Sequence, residues 1–300
     1  MSTKNGDRAY DLEPNSKRHK GIHQSEFEIN DNVPKEKTSN VTSKKEDVKQ
    51  NGVHHEDTVK RNQFGDVVSD PNISLEGWIN VWKKGRTKFH RREVHSILTN
   101  FLPKLVEGKE NPTFFVPLCG KSVDMKWLLD NGYEVYGCEI AEDGILQFFE
   151  EQEISYVIEP LEGKVEGKIY KGKDLPIVIF MCDFFKLPSV SSVRFDCVWD
   201  RGSFAAINTK DRSRYYDVLK KMMKPDGRWL LDSFELDHVK FAGPPFNLDT
   251  TELKQLVDDD FSIEQVRYKD AMNDWSRTWD VSYFIVKDFL LTRKEKTMEK

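Results

Sequence analysis

Four groups of residues in this chain are of types that do chemistry, and each stands where an apolar run ends. They are Leu118-Cys119-Gly120, Glu139, Asp183-Phe184 and Asp200-Arg201. A glycine turn lets a ligand approach the backbone, and a carboxylate accepts from paired hydroxyls. An acid beside an aromatic ring suits a base with an exocyclic amine, and a guanidinium holds an anion bidentately. Glu139 follows Gly120 by one helix and one strand, the place where a nucleotide-type ligand presents its ribose. Each group also has a plainer role. Glu139 fits a cap of the following helix, Asp183-Phe184 a turn cap beside a core ring, and Arg201 a salt bridge with Asp200 or another neighbouring carboxylate.

The glycine turn excludes two lookalikes. Gly120-Lys121-Ser122 resembles the end of a P-loop, but that loop needs a glycine where Phe115 stands. The dinucleotide fingerprint needs several glycines to admit a pyrophosphate, and Gly120 is alone. A ligand with a ribose and no phosphate remains, which favours S-adenosyl-L-methionine. Trp78 and Trp82 share one helix face, and with Phe89 they suit either a core or a wall whose rings attract a sulfonium.

The elements that must position these groups are readable from apolar runs and breakers. Residues 113–118 predict a buried strand, 122–131 a helix stopped by Gly132, and 133–140 a second strand. Upstream, Ser74 caps a helix carrying Trp78 and Trp82 and ended by Gly85. A further helix is expected over 90–106, with Pro103 disturbing its last turn. Downstream come a helix over 142–152, an irregular hairpin within 155–175 and strands over 176–182 and 195–199. A helix over 211–223, a turn at 224–227, a strand over 228–234 and a helix over 250–257 follow. Runs over 262–268 and 281–291 predict a closing antiparallel pair. Strands alternating with helices predict an α/β, three-layer Rossmann-like fold with a mostly parallel sheet.

The whole-chain averages over 300 residues, 38% hydrophobic and 32% charged, mix two materials. Residues 1–70 are polar, of mixed charge and poor in apolar residues, and read as a disordered tail. Residues 71–300 read as one domain. The net charge of −5 gives no reason to expect nucleic acid. No apolar run is long enough to cross a bilayer, and the N-terminus lacks a secretory core. Cys119, Cys138, Cys182 and Cys197 show no zinc spacing and read as buried reduced thiols of a cytoplasmic protein. His54-His55 in the tail is not expected to hold a metal.

Four separated blocks carry a family resemblance: WINVWKKGRTKFH, FFVPLCGKSVDMKWLLDNGYEVYGCEI, FDCVWDRGSFAAI and AGPPF. Over 73–291 the chain resembles thiopurine S-methyltransferase and its relatives. The resemblance implies a class I methyltransferase fold and methyl transfer from S-adenosylmethionine to the sulfur of a thiopurine or other aromatic thiol. It implies that Trp78, Trp82 and Phe89 cover the cofactor and that Phe89 also touches substrate. Leu118 and Gly120 would lie under the methionine portion, Glu139 would hold the ribose, and Asp183 and Phe184 would flank adenine. Better-known members have Ser-Ile at those last two positions. Arg201 would sit beside both cofactor and acceptor sulfur, with Pro245 in the lid. Trp275 stands where mammalian members carry an arginine, and Arg277 is the expected replacement. A cytoplasmic monomer acting on a small-molecule thiol is expected, with no nucleic-acid or membrane partner and no metal. Alternatives are the same fold acting on small thiols, halide or selenium and tellurium species, and a cofactor-binding protein without turnover.

Overall fold

The computed structural model describes residues 60–294 apart from 238 and 240. The segment expected as a tail therefore lies outside the described residues up to 59, His54-His55 included. The described part of it, from Lys60, is folded against the domain. Arg61 bridges Val67 and, in parallel, Phe241.

In chain order the elements are α1 (Leu75–Lys83), α2 (Ser96–Leu105), β1 (Thr113–Pro117), α3 (Val123–Asp130), β2 (Glu134–Glu139) and α4 (Glu142–Glu151). The hairpin β3 (Tyr156–Pro160) and β4 (Lys168–Gly172) leads to β5 (Ile177–Met181), α5 (Leu187–Val190), β6 (Phe195–Arg201) and α6 (Ser203–Ala206). Then come α7 (Arg212–Met222), β7 (Met223–Leu236), α8 (Thr250–Val257), β8 (Phe261–Asp270), α9 (Asp274–Arg277) and β9 (Phe284–Arg293).

The strands form one sheet in the order β3-β4-β5-β2-β1-β6-β7-β9-β8. The central run from β5 to β7 is parallel. The β3-β4 hairpin adds to one edge and the β9-β8 pair to the other, both antiparallel. This is the Rossmann-like class I methyltransferase architecture. Strand order reverses at β1, so the crevice beyond the carboxyl ends of β1, β2 and β6 is where such a sheet places ligands.

Each face of the sheet has its own core. On one face α2, α3 and α4 contribute Ile97, Leu98, Met125, Leu128, Ile145 and Phe148. On the other, α5, α7 and α8 contribute Leu187, Tyr215, Leu219 and Leu253. Phe114 and Phe115, adjacent in β1, go to opposite cores as strand alternation requires.

Two expectations need correction. The helix expected over 90–106 begins only at Ser96, because the Asp124 carboxylate of α3 accepts from the His95 amide at 2.8 Å. His90 and Arg91, left outside the helix, line the ligand crevice. The turn expected at 224–227 lies inside β7, as an irregularity between the pairs Phe195–Met223 and Cys197–Arg228.

Candidate active site

A crevice of about 470 Å³ opens at the switch point. Trp78, Trp82, Phe89, Leu118, Gly120, Glu139, Asp183, Phe184, Arg201 and Pro245, all picked from the sequence, line it together. Arg277 does not: it is an exposed residue of α9 and lies outside the lining, although Asn273 and Trp279 on either side of that turn belong to it.

The floor is made where β1 ends. Leu118 and Gly120 both have positive φ, 43° and 49°, so the chain turns away sharply before α3. A Cβ on Gly120 would lie 2.7 Å from the Trp82 ring, and one on Gly144 of α4 would lie 3.2 Å from it. The indole therefore fills a slot that exists because two residues have no side chain. Ser74 caps α1 by accepting from Gly77 N, which sets the helix that delivers Trp78 and Trp82. Both rings meet Phe89 edge-on, at 6.1 and 6.0 Å between centroids.

Glu139 closes β2 and is 5% exposed. Its Oε2 accepts from Gly120 N at 2.9 Å, and its Oε1 from Ile140 N and Ala141 N at 2.8 Å each. Burial pushes its carboxyl up, and these backbone donors oppose that. A carboxylate has about four acceptor positions. Three are taken, so Glu139 retains one, on Oε2. The cap-like role and the ligand role coexist, but a grip on two hydroxyls at once does not fit this arrangement.

Asp183 also combines both roles. Its Oδ1 caps the short turn after β5 by accepting from Phe185 N at 3.0 Å. Phe184 borders the crevice, yet its ring is in the core, 4.8 Å from Tyr215 and 6.4 Å from Phe115. The plain reading of this ring as a core aromatic thus fits its packing.

Asp200 and Arg201 part company because consecutive strand residues face opposite ways. Asp200 is fully buried on the far face, accepting from Phe204 N and Tyr215 Oη. Burial pushes it up to about 6. Arg201 turns to the crevice, where Nη2 donates to the Phe89 carbonyl at 3.0 Å. Among the described residues no carboxylate lies within ion-pair distance of it, so the salt bridge with Asp200 does not form. Burial lowers its pKa, but a guanidinium starts from so high a value that it stays charged.

The lid is 243–246. A Cβ on Gly243 would fall 2.4 Å from the Phe246 ring, and Phe246 N donates to Ala205 O at 2.7 Å. Pro244 and Pro245 face the crevice beside Phe234, Trp279 and Phe284. Sequence reading missed His90 and Asp232, which also line it. Burial, then Arg201 and Lys121, push His90 down to about 4. His90 was obscured by the helix expected over it, and Asp232 by its place inside an apolar strand.

The crevice fits a nucleoside carrying a cation. It has an open acceptor position on Glu139 Oε2, a turn without a Cβ for close backbone approach, and aromatic rings that attract a sulfonium. Among the described residues there is no cluster of metal-ligating side chains.

The thiopurine S-methyltransferase family model matches residues 73–296. A probable thiopurine S-methyltransferase of Danio rerio is 38% identical over 226 residues, 75% of this chain and 97% of that one. The thiopurine S-methyltransferase of Bos taurus is 37% identical over 225 residues, 75% of this chain and 92% of its own. In fold, a SAM-dependent methyltransferase from Anabaena variabilis superposes with a TM-score of 0.50 at 10% identity, covering 76% of this chain and 98% of that one.

Proposed function

The chain belongs to the thiopurine S-methyltransferase family and is an S-adenosylmethionine-dependent S-methyltransferase; we propose that its acceptor is a thiopurine or another aromatic or heterocyclic thiol. One observation carries the choice of acceptor. Arg201, without a carboxylate at ion-pair distance among the described residues, lies in a crevice whose other walls include Phe89, Phe234, Trp279, Phe284 and Pro245. A flat apolar ring with an anionic sulfur matches both features.

Bound in this crevice, S-adenosylmethionine supplies an electrophilic methyl group on a sulfonium. In our reading Glu139 accepts one ribose hydroxyl through the open position on Oε2. Leu118 and Gly120 give the backbone turn beneath the amino-acid portion, and Trp78, Trp82 and Phe89 face the cation. Asp183 keeps Oδ2 for the adenine amine, with Phe184 below it.

Arg201 orients the acceptor thiolate and stabilises it until its lone pair forms the new sulfur–carbon bond. The electron pair of the broken bond stays on the departing sulfur. His90 is too weak a base to matter, so the thiol must arrive ionised, as acidic aromatic thiols do near neutral pH. Pro244 and Pro245 exclude water, which would stabilise separated charges more than the transition state in which they cancel.

The same reading makes 71–300 the methyltransferase domain, with the described residues from Lys60 folded against it and Gln63 among the residues that line the crevice. It also makes the protein a cytoplasmic monomer acting on small molecules without nucleic acid. All four cysteines are buried and unpaired, which suits a reducing compartment. Among the described residues no helix is long and apolar enough to cross a membrane.

The test is release of S-adenosylhomocysteine with a panel of thiopurines, thiophenols, aliphatic thiols and iodide. Aromatic and heterocyclic thiols should lead in kcat/KM. Faster turnover of aliphatic thiols or iodide, or no product with any acceptor, overturns the proposal.

A further inference from the structure

Strand pairing lines up four charged residues across the sheet beside the crevice. Arg201 of β6 is paired with Asp232 of β7, Asp232 with Asp288 of β9, and Asp288 with Arg267 of β8. Directly paired residues project from the same face, so the row runs cation, carboxyl, carboxyl, cation. β8 reaches this register through an irregularity between Gln265 and Arg267. A bulge of this kind re-aims a side chain within a ladder.

The two carboxyls are deeply covered. Asp288 is 0% and Asp232 3% exposed, and of the two Asp232 borders the crevice. Arg267 Nε is in ion-pair contact with Asp288 Oδ2, and its Nη2 is 3.6 Å from Asp232 Oδ1. Asp232 Oδ1 and both Asp288 oxygens nevertheless lack a well-aligned donor. Two adjacent buried carboxyls do not both ionise readily. Burial, and then Asp232, push Asp288 up to about 8.

The surroundings do not cancel this. His95, the cap of α2, has Nε2 3.9 Å from Asp232 Oδ1, but burial keeps it below its ordinary value and hence neutral. Asp124 of α3 is occupied by His95 N and Trp199 Nε1. Arg91, before α2, adds a positive field at Arg201. With one proton on the pair, two guanidinium charges face one carboxylate. Without it, they face two.

We propose that the Asp232–Asp288 pair positions and tunes Arg201, holding one proton so that the row keeps a net positive charge for the acceptor thiolate and releasing acceptor when that proton is lost. The inference rests on the thiol-acceptor reading above. Asp288 touches neither ligand and acts through Asp232 and Arg201.

The experiment follows KM and kcat from about pH 6.5 to about pH 9.5 with a nitro-substituted thiophenol, which is ionised throughout that range. Wild-type KM should rise on the order of tenfold through about pH 8 while kcat changes little, the pattern of lost uniform binding. Asp288→Asn, whose pair has no proton to lose, should keep KM low throughout. Infrared spectra of the wild type should show a carboxylic-acid carbonyl band lost through about pH 8, above the range in which Asp200 titrates, and that loss should be missing in Asp288→Asn.

A flat wild-type KM, or the same rise in Asp288→Asn, overturns the inference. So does a wild-type spectrum whose acid band is missing near pH 7 or unchanged at high pH, and that arm holds even where the variant does not fold. Turnover with a flat KM removes this inference alone. No turnover with any thiol removes the acceptor reading beneath it as well.

Discussion

Arg201 Nη2 donates to the Phe89 carbonyl at 3.0 Å, so the guanidinium at the end of β6 also fastens the aromatic wall that arrives after α1. Arg201→Ala therefore removes two things, the cation facing the acceptor and the latch on Phe89. We expect kcat/KM for thiophenols to fall on the order of 10²-fold. Arg201→Lys should recover part of this, since an ammonium keeps charge but not the planar fork. Steady-state kinetics at neutral pH, with cofactor affinity by calorimetry as control, decide it. Wild-type kcat/KM in the alanine variant would remove Arg201 from the site.

Glu139→Ala should weaken cofactor binding and stability together. It strips the acceptor from three backbone N–H groups, those of Gly120, Ile140 and Ala141. Orphaned buried donors cost about 1–3 kcal/mol each when no water reaches them. A clear drop in melting temperature is expected beside the loss of affinity. A variant that loses affinity with an unchanged melting temperature would mean these three contacts contribute nothing to the fold.

Gly120→Ala should displace Trp82, because the new methyl would lie 2.7 Å from its ring at a residue with φ of 49°. Gly144→Ala meets the same ring at 3.2 Å without a positive φ and should be milder. We expect cofactor affinity to rank wild type, then Gly144→Ala, then Gly120→Ala, as read by titration calorimetry. Equal affinities would show that the slot tolerates a methyl at either wall.

Asp288 makes stability depend on pH with a definite sign. Its folded pKa, near 8, lies above the ordinary 3.8, so between those values the folded state binds more protons than the unfolded one. Its contribution is fully present below the lower value and is lost as pH rises through the upper one. Asp288→Asn should gain on wild type steadily from about pH 4 to about pH 8 and then level off. Urea unfolding across that range measures the difference. A constant difference would mean that Asp288 titrates normally.

Much of this site is legible in the sequence because parallel strands end in marked ways. The run before Gly120, the acid closing 133–140 and the cation after Trp199 each announce a strand's carboxyl end, where the crevice lies. What stays hidden depends on distant partners. Asp232 reads as an odd residue in an apolar strand until register sets it between Arg201 and Asp288. Residues 90–95 carry a helix-like pattern, and only the Asp124 carboxylate from another element ends it. Arg277 was chosen by proximity along the chain, whereas a turn of α9 presents its neighbours to the crevice instead.

Trp82, Gly120 and Gly144 come from α1, the β1 turn and α4, yet they share one space. Their evolution is consequently expected to be joint. A lineage that enlarges Gly120 must move or shrink the ring, and one that enlarges Gly144 presses on the same ring less hard, so the three positions should change in concert. Relatives that have exchanged one of them should carry a compensating change at another. The slot is then a heritable unit, although no two of its members are neighbours in the chain.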